Sequence, residues 1–160
     1  GIDHYIVKPF DIKELFETIQ TSFPLVDKKA HYTQDENLTR DLRILIIEDN
    51  KMNQKVLGTM LKSLGYSYDF ADDGYSGYIQ AKTRHYDVVF MDLLMPEMDG
   101  YESARKILAF DDSILIVAFT ADNLPESRRK AELSGISDFI SKPVRIEDLK
   151  ALFARHFKNN

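Results

Sequence analysis

The chain reads as an α/β domain in which a parallel five-stranded sheet carries helices on both faces, a doubly wound arrangement. Three observations predict it. From Leu42 onward, short apolar runs alternate with helix-like segments, the signature of repeated β–α units. The runs Ile44-Leu45-Ile46-Ile47 and Val88-Val89-Phe90-Met91 are continuous rather than alternating, as in strands covered on both sides. Successive runs also finish in reactive side chains, namely Glu48-Asp49, Asp92, Thr120 and Lys142. Those are the carboxyl ends of strands, where an open α/β sheet places its ligand crevice.

Each element has its own warrant. A first strand over 43–48 leads to a helix over about 51–64. In that helix Val56, Leu57, Met60, Leu61 and Leu64 fall at helical spacing, and Gly65 supplies the left-handed residue that ends it. A strand over about 66–70, a helix over about 74–83 and a strand over 87–92 follow. Asp99 is a good N-cap for a helix over about 100–109 that buries Tyr101, Ala104, Ile107 and Leu108. A strand over 114–119 and a helix over about 124–134, ended by Gly135, precede a strand over 137–141. In the last helix, about 145–157, Ile146, Leu149, Leu152, Phe153 and Phe157 make one stripe toward the sheet.

An internal repeat bears on domain organisation. Gly1-Ile2-Asp3-His4-Tyr5-Ile6-Val7-Lys8-Pro9 matches Gly135-Ile136-Ser137-Asp138-Phe139-Ile140-Ser141-Lys142-Pro143, an offset of 135 − 1 = 134 residues. The match continues through Ile12 with Ile146, Glu14 with Asp148 and Leu15 with Leu149. A period of that length is one domain plus a linker, too long for a solenoid. Residues 1–24 are thus expected to be the last strand and helix of a preceding copy, residues 25–40 a polar linker, and residues 41–158 a complete domain. Phe10, Ile12, Leu15, Phe16 and Ile19 form an apolar face in the first segment. It is expected to dock on the complete domain or on a neighbouring chain, giving a dimer.

Composition narrows the function. With 160 residues, a formal net charge of −5 and a pI near 5.4, the chain lacks the basic footprint of a nucleic-acid binder. It has no cysteine, hence no disulfide framework and no thiolate metal site, in keeping with a reducing compartment. No apolar stretch approaches the ~20 residues of a membrane-spanning helix, and no leader pattern opens the chain. A cytoplasmic protein making no membrane contact is expected, though a parent protein could be anchored.

The clustered acids suggest a divalent cation. Magnesium prefers hard oxygen ligands and is commonly held by one or two carboxylates together with phosphate oxygens. Asp49 and Asp92 could supply those carboxylates. Glu48, Asp49 and Asp92 contribute −3, which Mg²⁺ and Lys142 together balance with +3. Without cations, three such neighbours repel, and at least one tends to hold a proton.

The joint order of these motifs resembles the receiver domain of two-component response regulators and hybrid sensor histidine kinases. The resemblance covers roughly residues 41–158, and Asn50, Asn53 and Gln54 resemble the Glu-Asp-Asn-x-x-Asn-Gln opening common in hybrid-kinase receivers. It implies a flavodoxin-like (βα)5 sandwich with strand order 2-1-3-4-5 and an Mg²⁺- or Mn²⁺-dependent phosphoryl transfer from a phosphohistidine to Asp92. Asp49 would ligate the metal directly, Glu48 largely through water, and the Leu94 backbone carbonyl would complete the protein ligands with Asp92. Lys142, the Thr120 hydroxyl and the Ala121 amide would hold the phosphoryl group. Thr120 and the aromatic ring of Phe139 would form the switch, without the polar tip that tyrosine or histidine gives many receivers at that position. The resemblance also implies a cis Lys142–Pro143 peptide.

The implied partners are a histidine kinase or histidine phosphotransfer domain, with a dimer through residues 1–24 or through the last helix-strand-helix face. The chain would be a self-phosphorylating acceptor rather than an enzyme acting on an external substrate. The competing expectation is a phosphorylation-independent pseudo-receiver serving as an interaction module. An aspartate-nucleophile phosphatase is disfavoured because Leu94 stands where its second acid would be.

Overall fold

The computed structural model describes residues 41–157. The chain divides into two units between Glu36 and Asn37, and every described residue belongs to the second. The expectations for residues 1–40, including the preceding-copy segment, the linker and docking through the apolar face, lie outside the described residues.

Among the described residues ten elements follow in strict alternation: β1 (Arg43–Ile47), α1 (Lys51–Ser63), β2 (Ser67–Ala71), α2 (Gly74–Thr83), β3 (Val88–Met91), α3 (Gly100–Phe110), β4 (Leu115–Thr120), α4 (Pro125–Leu133), β5 (Asp138–Ser141) and α5 (Ile146–Phe157). The strands form one sheet in the order β2-β1-β3-β4-β5, and every pairing is parallel. This is the expected 2-1-3-4-5 order, whose winding reverses between β1 and β3. A crevice opens there at the strands' carboxyl ends.

The core explains why the central runs are unbroken. Successive side chains of a strand point to opposite faces. Leu45, Ile47, Val89, Met91, Ile116 and Ala118 pack with Ala81 of α2, Tyr101, Ala104 and Ile107 of α3 and Ala131 of α4. On the other face Phe90 meets Phe153 of α5 edge-on, with ring centroids 6.4 Å apart. Tyr66 stacks on the same Phe153 at 4.4 Å. Leu57 and Leu61 of α1 and Leu149 and Leu152 of α5 are fully buried.

The helix signals hold where side chains act on backbone. Asn50 accepts from the amides of Met52 and Asn53 at 2.9 and 3.1 Å, and Asp99 accepts from Glu102 N–H at 2.8 Å. Gly65 and Gly135 take φ of 91° and 89°, the left-handed C-terminal residues expected of them. The Lys142–Pro143 peptide is cis.

The structure corrects several boundaries. Tyr66 does not open β2: its amide bonds back to Leu61 O and its ring belongs to the α5 side of the core. The β2 strand runs to Ala71, one residue beyond expectation. Val56, Leu64, Leu108, Ile146 and Phe157 are only half-buried, because they flank their apolar stripes instead of centring them.

Candidate functional site

The β1 and β3 strands deliver their acids by continuing the sheet ladder one residue past their assigned ends. Glu48 N–H donates to Ala71 O at 3.1 Å and Asp92 N–H to Ile47 O at 2.9 Å. Both side chains are therefore fixed from the backbone, Glu48 fully buried and Asp92 5 % exposed. Asp49, in the turn after β1, is exposed. One carboxylate oxygen from each of Glu48, Asp49 and Asp92 lies within 4.8 Å of the others.

Lys142 enters from the end of β5. Its Nζ donates to Glu48 Oε2 at 2.5 Å, lies 3.4 Å from Asp92 Oδ2 and sits over the Phe119 ring, 4.9 Å from the centroid. The other oxygen of Asp92 accepts from Leu94 N–H at 3.2 Å. Burial pushes the Glu48 carboxyl up to about 7, and the neighbouring Asp92 charge adds to that rise. Lys142 and the Asn50 amide pull the other way.

The loop after Asp92 is held by close backbone contact. Gly100 N–H donates to Leu93 O at 3.1 Å, and a Cβ at Gly100 would stand 2.1 Å from the Asp92 carbonyl oxygen. Only glycine lets α3 begin this near the acid. Glu97 turns the loop with a φ of 67°. The Leu94 side chain is 62 % exposed, and it is the backbone carbonyl of this residue that the metal-ligand expectation concerns.

On β4, Thr120 is fully buried and its Oγ1 accepts from Asp122 N–H at 3.2 Å, which leaves the hydroxyl proton free to be donated elsewhere. Its carbonyl receives Lys142 N–H at 2.9 Å, tying the hydroxyl and ammonium strands together. Ala121 is exposed. Phe139 is not at the crevice itself; it pairs with Ala118, two residues before Thr120 on β4. Its half-buried ring packs against the core beneath the Arg128 guanidinium at 4.5 Å.

Glu48, Asp49, Asp92 and Lys142 are thus brought together directly, while Thr120 joins through the β4–β5 ladder. The donor set suits a hard divalent cation. With all three acids ionised, as a bound cation favours, they leave a net −2 against one ammonium, and all the clustered atoms are oxygens. Two participants escaped the sequence reading. Asp72, after β2, ion-pairs with Lys51 and accepts from Gln54 at 2.7 Å; its signal was an acidic pair at yet another strand's carboxyl end. Arg128 left none, since a cation on a polar helix looks like any solvated side chain.

An acid-lined crevice at the carboxyl ends of a 2-1-3-4-5 sheet, with a lysine and a buried hydroxyl on the flanking strands, defines a receiver. The chain belongs to the response regulator receiver domain family, whose sequence profile matches residues 44–154. It is 33 % identical over 138 residues to the sensor histidine kinase RcsC of Salmonella typhi, an alignment covering 86 % of this chain and 14 % of that protein. The chain therefore spans about a seventh of that relative's length.

Among solved structures, the receiver domain of a Pseudomonas aeruginosa sensor histidine kinase, which holds a magnesium ion in its active-site cleft, is 34 % identical with a TM-score of 0.67. That match covers 72 % of this chain and 97 % of that one. The receiver complex of Saccharomyces cerevisiae response regulator Ssk1 with the histidine phosphotransfer signaling protein Ypd1 matches at 33 % identity and a TM-score of 0.67, over 71 % and 87 % of the respective chains.

Proposed function

We propose that this chain accepts a phosphoryl group on Asp92 from a phosphohistidine of a histidine kinase or histidine phosphotransfer protein. We further propose that it works within a longer cytoplasmic or membrane-anchored phosphorelay protein of the hybrid sensor kinase kind. One observation carries the reading: Asp92 is buried at the end of the central strand, within ligand distance of two more acids and 3.4 Å from Lys142.

A carboxylate oxygen of Asp92 attacks phosphorus as the phosphorus–nitrogen bond of the donor breaks, and the departing imidazole takes up a proton. The product is an acyl phosphate. Such transfers pass through a loose transition state, so alignment and charge neutralisation do most of the catalytic work. Leu94 N–H and the sheet ladder hold Asp92 in place. Lys142, now shared between Glu48 and Asp92, offers its ammonium to the incoming phosphoryl oxygens. Thr120 donates its free hydroxyl proton to the same group, and the Ala121 amide adds a second donor. Asp49, Asp92 and the Leu94 carbonyl, with Glu48 largely through water, would hold a magnesium or manganese ion, which would supply further positive charge there.

The switch reading rests on Thr120 and Phe139 flanking Ala118 on adjacent strands. Movement of Thr120 toward the phosphoryl group frees space beside β4, and the Phe139 ring moves in. Because Phe139 has no hydroxyl, the change is transmitted by packing and by the Arg128 contact over the ring.

The test is transfer from a radiolabelled phosphohistidine donor with Mg²⁺ present. Label is expected on the wild-type chain and absent from Asp92→Asn. Label persisting on Asp92→Asn would reassign the acceptor, and no label on the folded wild type from any donor or from acetyl phosphate would make the chain a pseudo-receiver.

A further inference from the structure

Gln54 is a buried polar side chain, 3 % exposed, in the first turns of α1. Its amide nitrogen donates to the Glu48 backbone carbonyl at 2.5 Å and to Asp72 Oδ1 at 2.7 Å. Both partners are pure acceptors, so the NH₂ end must face them and both its hydrogens are used. No other side-chain type of this size donates twice from one neutral atom. The carboxylate of Asp72 is drawn low by Lys51 first and by Gln54 second. It stays ionised and keeps its hold on the amide.

The carbonyl that Gln54 grips belongs to the peptide joining Glu48 to Asp49. The Glu48 N–H is held by Ala71 O, and the Glu48 side chain by Asn50 N–H at 3.1 Å and by Lys142. Asp49 differs, since its carboxylate has no hydrogen-bond or ion-pair partner among the described residues. Its direction is therefore set by the backbone that carries it, and among the described residues the side chain fastening that peptide plane is Gln54.

We infer that Gln54 is a positioning residue for the cation site: by pinning the 48–49 peptide, it aims the unpartnered Asp49 carboxylate at Asp92. The inference rests on the proposed phosphoacceptor reading and adds a residue that touches neither metal nor phosphoryl group. Losing a support behind a ligand typically costs 10–100-fold in metal affinity while leaving the ligands intact. The effect should fall on metal affinity, since Asp92, Lys142 and Thr120 are held by other bonds.

The test is calorimetric titration of the unphosphorylated chain with Mg²⁺, paired with the Mg²⁺ dependence of phosphoryl transfer. Gln54→Met keeps the volume and removes both donors. Its dissociation constant for Mg²⁺ is expected to rise about tenfold, with the transfer rate at saturating Mg²⁺ within about threefold of wild type. Asp72→Asn, which keeps an acceptor for Gln54, is expected to bind Mg²⁺ nearly as wild type does.

Tyr86→Phe controls for general loosening. It deletes hydrogen bonds to Asp69 and Gln80 at the opposite end of the sheet, and its Mg²⁺ affinity is expected to be unchanged. A folded Gln54→Met with wild-type Mg²⁺ affinity overturns the inference. So does a Tyr86→Phe loss of affinity as large as that of Gln54→Met. Should Gln54→Met not fold, Gln54→Leu gives the same reading, its neutral side chain donating to neither partner, and a wild-type constant there is equally fatal. A wild-type chain that binds no Mg²⁺ would instead overturn the metal-dependent phosphoacceptor reading itself.

Discussion

The α4 and α5 helices lie on either side of β5 in the chain, and they are held in opposite ways. The α5 helix buries Leu149, Leu152 and Phe153, stacks Phe153 against Tyr66, and grips β5 through Arg155 and His156, which reach Asp138 at 2.8 and 2.7 Å. The α4 helix buries Ala131 alone and leaves Leu124 and Leu133 exposed. Its first turn has no side-chain cap. Two cations resting on rings add to its hold: Arg128 over Phe139 and Lys130 over Tyr101, at 4.5 and 4.3 Å.

The difference matters because α4 follows the hydroxyl of Thr120, whereas α5 follows the ammonium of Lys142. A movement of Thr120 meets a helix with few buried contacts. The lysine is backed by one that is expensive to shift. Elements that move are drawn from the weakly packed end of a structure's stability range, and here that end adjoins the residue proposed to sense the phosphoryl group.

The largest effect that could break this contrast is core truncation. Phe153→Ala removes a ring packed against Tyr66, Phe90 and Phe157 and is expected to cost about 3–5 kcal/mol in urea unfolding. Leu133→Ala on α4, already exposed to solvent, should stay within about 0.5 kcal/mol. Comparable losses at the two positions would mean that α4 contributes to the core as α5 does, and the asymmetry would be gone.

How much of this was legible from residues alone depends on burial. The β1, β3 and β4 runs were readable because both faces are covered, which leaves no alternation to mistake. The stripe of α5 was readable because its buried residues recur at helical spacing on one face; Asp92 and Glu48 each follow a buried strand, and Lys142 follows the half-buried β5. Tyr66 misled because an aromatic opening a strand and an aromatic sealing the core from a turn look identical in one dimension. Gln54 is harder still. A polar residue in a first helical turn is ordinarily solvated, and only the approach of Asp72 from β2 shows that both of its hydrogens are committed. The weak hold on α4 was visible in Ser127-Arg128-Arg129-Lys130 as polarity, but the rings beneath two of those cations come from β5 and α3.

A second effect sharpens the comparison on its rigid side, where the acids carry an electrostatic strain. Burial raises Glu48 to about 7 from an ordinary value of 4.5, so between these two pH values the folded state binds a proton that the unfolded state has released. Stability without metal should therefore fall as pH rises through that window and level off above it, by at most roughly 3 kcal/mol. Asp138 works in the other direction. Burial raises it, but Arg155, His156 and the Phe139 amide together outweigh that and hold it low, so its contribution is lost only as pH falls below about 4 and does not cancel the slope. Thermal melts at pH 5 and 7.5 would show the decline, and Mg²⁺, favouring the anion, should flatten it. Melting temperatures that rise across this interval without metal would show that Glu48 is not under strain.

The smallest effect bears most directly on the loose helix. An exposed cation over a ring is worth about 0.5–1 kcal/mol, a minor share of global stability but a large share of what holds α4. Arg128→Ala should scarcely change the unfolding midpoint. It should speed hydrogen exchange of the α4 amides by about two- to fivefold, since opening of that helix alone sets their protection, while α5 amides exchange as in wild type. Arg128→Lys, which keeps a charge over Phe139 but loses the flat guanidinium face, should fall between the two. If α4 in the wild type is protected as strongly as α5, or if Arg128→Ala accelerates both equally, Thr120 has no pliant neighbour. A phosphoryl-driven change would then have to leave the sheet by another route.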